Sequence, residues 1–237
     1  PFTWVANCSA IQWERCQPVF VDVDPESFNI NPDEIEAAIT KRTRAIMGVH
    51  VFSCPCDVER IEAIASAHNL KVIYDGAHAF GVKHKKESIF NWGDISTTSF
   101  HATKLFNTGE GGAIFAPTSL NEKIKSLRFF GIDSRKEISE IGCNAKMTEI
   151  HAALGLCNLP YITTEIDTRR EIYNNYFNIL CDKLSFQKFN SSSYNYSYMP
   201  VVFKTEKELL AVKAHLNAHN IFPKRYFFPS LNEVKTV

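Results

Sequence analysis

Over the first 130 or so residues, short apolar runs alternate with stretches in which apolar positions recur every three or four residues. Pro18-Val-Phe-Val-Asp22, residues 44–51, Leu70-Lys-Val-Ile-Tyr-Asp75 and Asp94-Ile-Ser-Thr-Thr98 are expected as strands, because aliphatic, aromatic and β-branched residues dominate them. Helices are expected between them. Asn31 can cap the first, Pro32 fits its opening position, Glu34 completes a capping box, and Ile35 and Ile39 share one face. Asp57 caps the next, with Ile61, Ile64 and Ala65 turned inward as far as His68 and Asn69. At the start of the chain, Phe2, Trp4 and Val5 are expected to be buried within an element already under way, and residues 9–14 to form a short helix.

Strands alternating with helices of this length indicate an α/β domain with a mainly parallel sheet. Ligands of such sheets bind beyond the carboxyl ends of the strands, which places Asp75, His78 and residues 99–104 where a ligand could sit. Later segments are more helical: Ile124, Leu127 and Phe130 mark one helix. Met147, Ile150, Ala153 and Leu154 mark another, which Pro160 interrupts, and residues 165–184 form a long third. Between the first two lies a polar, glycine-punctuated loop, residues 131–144. Residues 190–197 read as loop, 199–203 as a strand, and Thr205 as the cap of a helix reaching about residue 217; residues 221–231 are aromatic and proline-rich. The expected organisation is a large domain over residues 1–160, followed by a linking helix and a partial small α+β domain over residues 161–237.

Composition narrows the field of partners. Of 237 residues, 45% are hydrophobic and 22% charged, and Lys+Arg and Asp+Glu balance at 26 each, which gives no electrostatic case for nucleic acid or an anionic membrane. No apolar run is long enough to span a bilayer, and the N-terminus does not read as a signal peptide. Seven scattered cysteines, an odd number, read as the reduced thiols of a cytoplasmic protein. Cys54-Pro-Cys56 is the only close pair, and without a second pair or histidines at ligand spacing no metal site is expected.

The candidate chemistry centres on Ser-Phe-His-Ala-Thr-Lys-Leu-Phe-Asn-Thr-Gly-Glu-Gly-Gly, residues 99–112. Lys104 sits there between two apolar runs, with small and polar neighbours. A loop lysine ordinarily points into solvent, but a partly desolvated amine is a good nucleophile for Schiff-base formation. Three features converge on it. Asp75, in Asp75-Gly-Ala-His78, is either a helix cap or the acid that keeps a pyridine nitrogen protonated. Ser99 is either a turn residue or a hydroxyl offered to a phosphate. Glu110-Gly-Gly112 lets the backbone bend tightly beside the lysine.

These residues, in this order, resemble the pyridoxal-phosphate signature of the DegT/DnrJ/EryC1/StrS sugar aminotransferases, of aspartate-aminotransferase fold type I. The resemblance extends to Pro18-Val-Phe-Val-Asp-Val-Asp24, Thr43-Arg-Ala-Ile46, Val49-His-Val51 and Gly142-Cys-Asn-Ala-Lys-Met-Thr-Glu149. Cys54-Pro-Cys-Asp57, residues 75–83 and Arg225-Tyr-Phe-Phe-Pro-Ser-Leu-Asn232 point within it to nucleotide-sugar 4-aminotransferases, which make dTDP-4-amino-4,6-dideoxyglucose. The resemblance implies a three-layer αβα large domain, pyridoxal 5'-phosphate as cofactor, and a homodimer with shared active sites. Lys104 would carry the cofactor and move the proton, and Asp75 would pair with the ring nitrogen. His78 would lie near the ring hydroxyl, where many relatives carry glutamine, Ser99 would bind the phosphate, and Trp4 would stack on the ring face. Asn144 would reach the phosphate of the neighbouring subunit, and Arg225 and Tyr226 would contact the sugar nucleotide. Glutamate would donate the amino group, and a keto-sugar nucleotide such as dTDP-4-keto-6-deoxyglucose would accept it.

The departures are specific. Relatives begin with a further phosphate-binding segment and continue beyond Val237, so a fragment of a longer protein is expected. Gly76 replaces a usual alanine, and Ser53 stands where glycine is frequent. A dehydratase of the same family carries histidine where Lys104 stands, so lysine there argues against that activity. A non-catalytic paralogue serving as a binding module would have no use for the lysine, aspartate and serine together. A dinucleotide oxidoreductase is disfavoured because no strand leads into Gly-x-Gly-x-x-Gly.

Overall fold

The computed structural model describes residues 1–189 and 194–235. Its centre is a four-stranded sheet in the order β1 (Ala45–Val49), β2 (Lys71–Asp75), β5 (Ile95–Ser99), β6 (Gly112–Phe115), with β3 (Lys83–His84) and β4 (Glu87–Ser88) forming a small hairpin outside it. The first three strands are parallel and β6 runs antiparallel to β5. Side chains alternate across the sheet, so Ile46, Val72 and Tyr74 enter the core while their neighbours face the other way. Against that face packs α3 (Val58–Ala67), which buries Val58, Ile61 and Ala65 at helical spacing. Asp57 caps α3 by accepting from Arg60 N, and Asn31 caps α2 (Pro32–Ala38) by accepting from Asp33 N, as their sequences lead one to expect. The polar residues that β5 buries are satisfied locally: Ser96 Oγ donates to Trp92 O at 2.8 Å and Thr98 Oγ1 to Gly76 O at 3.1 Å.

Helices follow in series: α4 (Asn121–Arg128), α5 (Glu149–Asn158), α6 (Ile162–Leu180) and α7 (Glu206–Ala218), the last capped by Thr205. Pro160 lies in a 3-10 turn joining α5 to α6. The strand expected at 199–203 shrinks to β8 (Val201–Val202), paired with β7 (Ser185–Phe186). Residues 190–193 of the expected 190–197 loop lie outside the described residues. Two expectations are corrected. Residues 18–22 form no ladder among the described residues, although Val21 packs on the core and Asp22 O accepts from Asn31 N. An apolar alternation makes a strand only where a neighbouring backbone is within reach. At the N-terminus, α1 starts earlier, at Ala6, and runs to Trp13; Trp4 and Val5 before it are 55% and 40% exposed. At that exposure Trp4 lies outside the core. No helix among the described residues is long and apolar enough to cross a membrane.

Candidate active site

Parallel pairing brings three connections to one end of the sheet. Val49 aligns with Asp75 and Asp75 with Thr97, so β1, β2 and β5 all end there. Asp75 closes β2 and is held by two donors: Asn7 Nδ2 lies 2.9 Å from Oδ2, and Ala77 N lies 2.8 Å from Oδ1. The local turn thus takes up one carboxylate oxygen and Asn7 the other. Asn7 also donates to Thr3 Oγ1 at 2.8 Å, which uses both amide hydrogens. Gly76, the first departure noted in the sequence, packs so closely that a Cβ would lie 2.5 Å from Phe90 Cε1.

Lys104 hangs from a loop whose neck is closed by Phe100 N donating to Gly111 O (2.8 Å) and Thr108 N donating to Phe100 O (2.9 Å). Phe106 anchors it, buried and stacked on Phe80 with centroids 4.5 Å apart. Gly112 is required at the return strand, since a Cβ there would lie 2.8 Å from Thr98 O. Lys104 is half-buried, and burial lowers its pKa below the ordinary lysine value. The nearby Asp75 charge opposes that shift and the Lys224 ammonium adds to it. His78, also in the cluster, is pushed down to about 3 by burial and then by the Lys104 charge, so its ring is neutral around pH 7. Ser99 ends β5 opposite Gly112, with its Oγ accepting from His101 N at 3.2 Å.

The other expected site residues divide into two groups. Trp4 and Tyr226 flank Lys224, whose Nζ lies 5.2 Å and 4.8 Å from their ring centroids and whose charge acts on Lys104. Arg225, between Lys224 and Tyr226 in sequence, has other partners: it donates to Glu206 Oε1 at 2.8 Å and its guanidinium stacks on Phe228 at 3.5 Å. Asn144 sits in an antiparallel bridge with Phe129 on the segment after α4. Three contributors were absent from the sequence reading: Asn7, Lys224 and Tyr198, whose ring lies 4.5 Å from that of His78. Only Asn7 left a trace, as the position one helical turn beyond Thr3. Cys54 and Cys56 are both buried, and burial raises both thiols, Cys54 to about 12. Their sulfurs donate to Lys188 O and Val49 O.

Known proteins are similar to this chain in sequence and fold. A dTDP-4-amino-4,6-dideoxy-D-glucose transaminase of Shigella dysenteriae is 41% identical over 235 residues, which cover 97% of this chain and 64% of that enzyme. The crystal structure of DesI in the presence of its TDP-sugar product superposes with a TM-score of 0.91 at 32% identity, covering 99% of this chain and 62% of that one. NtdA from Bacillus subtilis, solved with bound cofactor PMP, has a TM-score of 0.90 at 26% identity, covering 100% of this chain and 56% of that one. The chain thus spans 56–64% of the length of these proteins. With the DegT/DnrJ/EryC1/StrS model matching residues 1–237, and with the lysine, aspartate and histidine gathered at one end of a mainly parallel sheet, the chain belongs to the DegT/DnrJ/EryC1/StrS aminotransferase family.

Proposed function

We propose that the protein is a pyridoxal-phosphate-dependent aminotransferase that moves an amino group from glutamate to a keto-sugar nucleotide, dTDP-4-keto-6-deoxyglucose or a close analogue, in deoxyamino-sugar synthesis in the cytoplasm. The observation that carries this reading is the pairing of a half-buried lysine of lowered pKa with a carboxylate fixed by two N–H donors, both at the ligand-binding end of the sheet. The donor set fits the cofactor: an amine for its aldehyde, a carboxylate for a protonated ring nitrogen, a neutral imidazole beside them, and Ser99 for the phosphate. The 41% identical transaminase and the PMP-bound neighbour support the same assignment.

Pyridoxal phosphate, when bound, supplies a carbonyl that takes up the amino group and a ring that spreads the charge left as a carbon–hydrogen bond breaks. Asp75 would pair with the ring nitrogen and balance its positive charge. Lys104 Nζ would hold the group and would move the proton, taking it from the amino donor's carbon in one half of the reaction and delivering it to the sugar carbon in the other. Lowering the lysine pKa makes both tasks easier near neutral pH. Trp4 would cover a ring face, Tyr226 would border the sugar-nucleotide end, and Asn144 would serve the phosphate of a second copy, whereas the Arg225 guanidinium is engaged by Glu206 and Phe228. Lys104→Ala is expected to abolish both turnover and the absorbance band that the wild type acquires with pyridoxal phosphate. Normal turnover by the variant refutes the assignment.

A further inference from the structure

Phe52 and Ser53, immediately after β1, are consecutive non-glycine residues in the left-handed region, with φ of 51° and 73°. A bulky residue rarely adopts that conformation unless its surroundings impose it. Here they do so from several sides. Val51 N donates to Asn29 Oδ1 and Val51 O accepts from Gln187 Nε2, each at 2.9 Å. Phe52 O accepts from Tyr194 Oη at 2.7 Å. The Phe52 ring is 3% exposed and sits among Phe2, Tyr198, Tyr226 and Phe227, so glycine could relieve the backbone only by emptying this cluster.

The left-handed turn aims one backbone donor at a side chain: Phe52 N–H lies 3.2 Å from His78 Nδ1. The two rings are parallel within 4°, at 6.0 Å between centroids. The backbone of His78 is clamped as well, because its carbonyl accepts from Ser53 Oγ and from Asn195 Nδ2, the latter at 2.8 Å. Asn195 is fully buried and its amide also reaches Phe80 O at 2.9 Å. An imidazole nitrogen that accepts a hydrogen bond carries no proton, and a neutral ring then has its single proton on the other nitrogen.

We propose that the Phe52–Ser53 turn, braced by Tyr194 and Asn195, is a positioning element that holds His78 as the Nε2–H tautomer, so that the imidazole serves the bound group as a hydrogen-bond donor and not as a base. The consequence for catalysis rests on the cofactor reading above; the tautomer does not. Burial and the Lys104 charge act in the same direction, since both disfavour a second proton on the ring. Proton transfer is thereby left to Lys104, and His78 supplies a fixed dipole.

The test uses the whole protein labelled with 15N-histidine, with the His78 signals assigned by comparison with His78→Gln. The expected spectrum shows a protonated Nε2 and an unprotonated Nδ1 at pH 7, before any cofactor is added. A protonated Nδ1, or an imidazolium, overturns the proposal. Tyr194→Phe combined with Ser53→Ala, which removes two braces, is expected to bring the second tautomer into view; an unchanged spectrum in a folded double variant also overturns it. Pyridoxal-phosphate affinity supplies a separate readout. His78→Gln, whose amide reaches the Nε2 position, should bind about tenfold more tightly than His78→Asn, whose amide reaches only the Nδ1 position. Equal affinities overturn the donor role. If the cofactor binds none of these proteins while the expected tautomer is seen, the cofactor reading fails and the positioning element stands.

Discussion

Asn7 offers the most direct probe of how the candidate site is preorganised. Its amide joins the first turn of α1 to Asp75, 68 residues away, and Ala77 N is the carboxylate's other donor. Asn7→Ala removes the donor on Oδ2 and leaves the local turn intact, so Asp75 gains freedom to rotate about its last side-chain torsion. A hydrogen bond to a charged acceptor contributes about 1.5–3 kcal/mol, and the lower end applies because both residues are only half-buried. About 1.5 kcal/mol corresponds to roughly tenfold in an equilibrium constant. Asn7→Ala is therefore expected to weaken pyridoxal-phosphate binding about tenfold. Asn7→Asp should weaken it further, by setting a second carboxylate against Asp75. The assay is a cofactor titration followed by absorbance, alongside thermal melting of the cofactor-free proteins to separate lost folding from lost alignment. Binding by Asn7→Ala within about twofold of the wild type, at an unchanged melting temperature, would refute the idea that this amide preorganises Asp75.

Acid should destabilise the fold through His50, which is 1% exposed, stacked on Tyr74, and held at a pKa of about 3 by burial and then by His84. Because its folded pKa is depressed, the unfolded chain binds the extra proton between about pH 6.5 and 3, and stability falls as pH falls through that window. The loss is about 2 kcal/mol by pH 5. Urea midpoints of the wild type and His50→Gln at pH 7 and pH 5 should show the wild type losing more; parallel losses would sink the argument. Lys224→Ala should raise the pKa of Lys104, and with it the pH optimum, since it removes a neighbouring positive charge; an optimum that stays put or falls contradicts this. Arg225→Ala, by contrast, breaks an exposed pair with Glu206 and the stacking on Phe228. It should change stability by no more than about 1 kcal/mol, and a KM for the sugar nucleotide that rises tenfold would place Arg225 in the binding site instead.

Local patterning determined much of this molecule. The caps at Asn31, Asp57 and Thr205, the strands ending at Val49, Asp75 and Ser99, and the buried stripe of α3 are all short-range features, since each depends on residues within a few positions of one another. Parallel strands also have a common carboxyl end, which is why the sequence alone groups Asp75, His78 and the Lys104 loop. Pairing and long-range packing decided the rest. Residues 18–22 have the apolar pattern of a strand but form no ladder among the described residues, and Trp4 has the character of a core residue but is 55% exposed. Asn7 on Asp75, Lys224 beside Lys104 and Phe52 behind His78 are contacts between distant segments, and nothing in the composition of either segment announces the other. A hydrogen bond across 68 residues, or a phenylalanine held in a left-handed turn, depends on how elements stack, and only the folded chain specifies that.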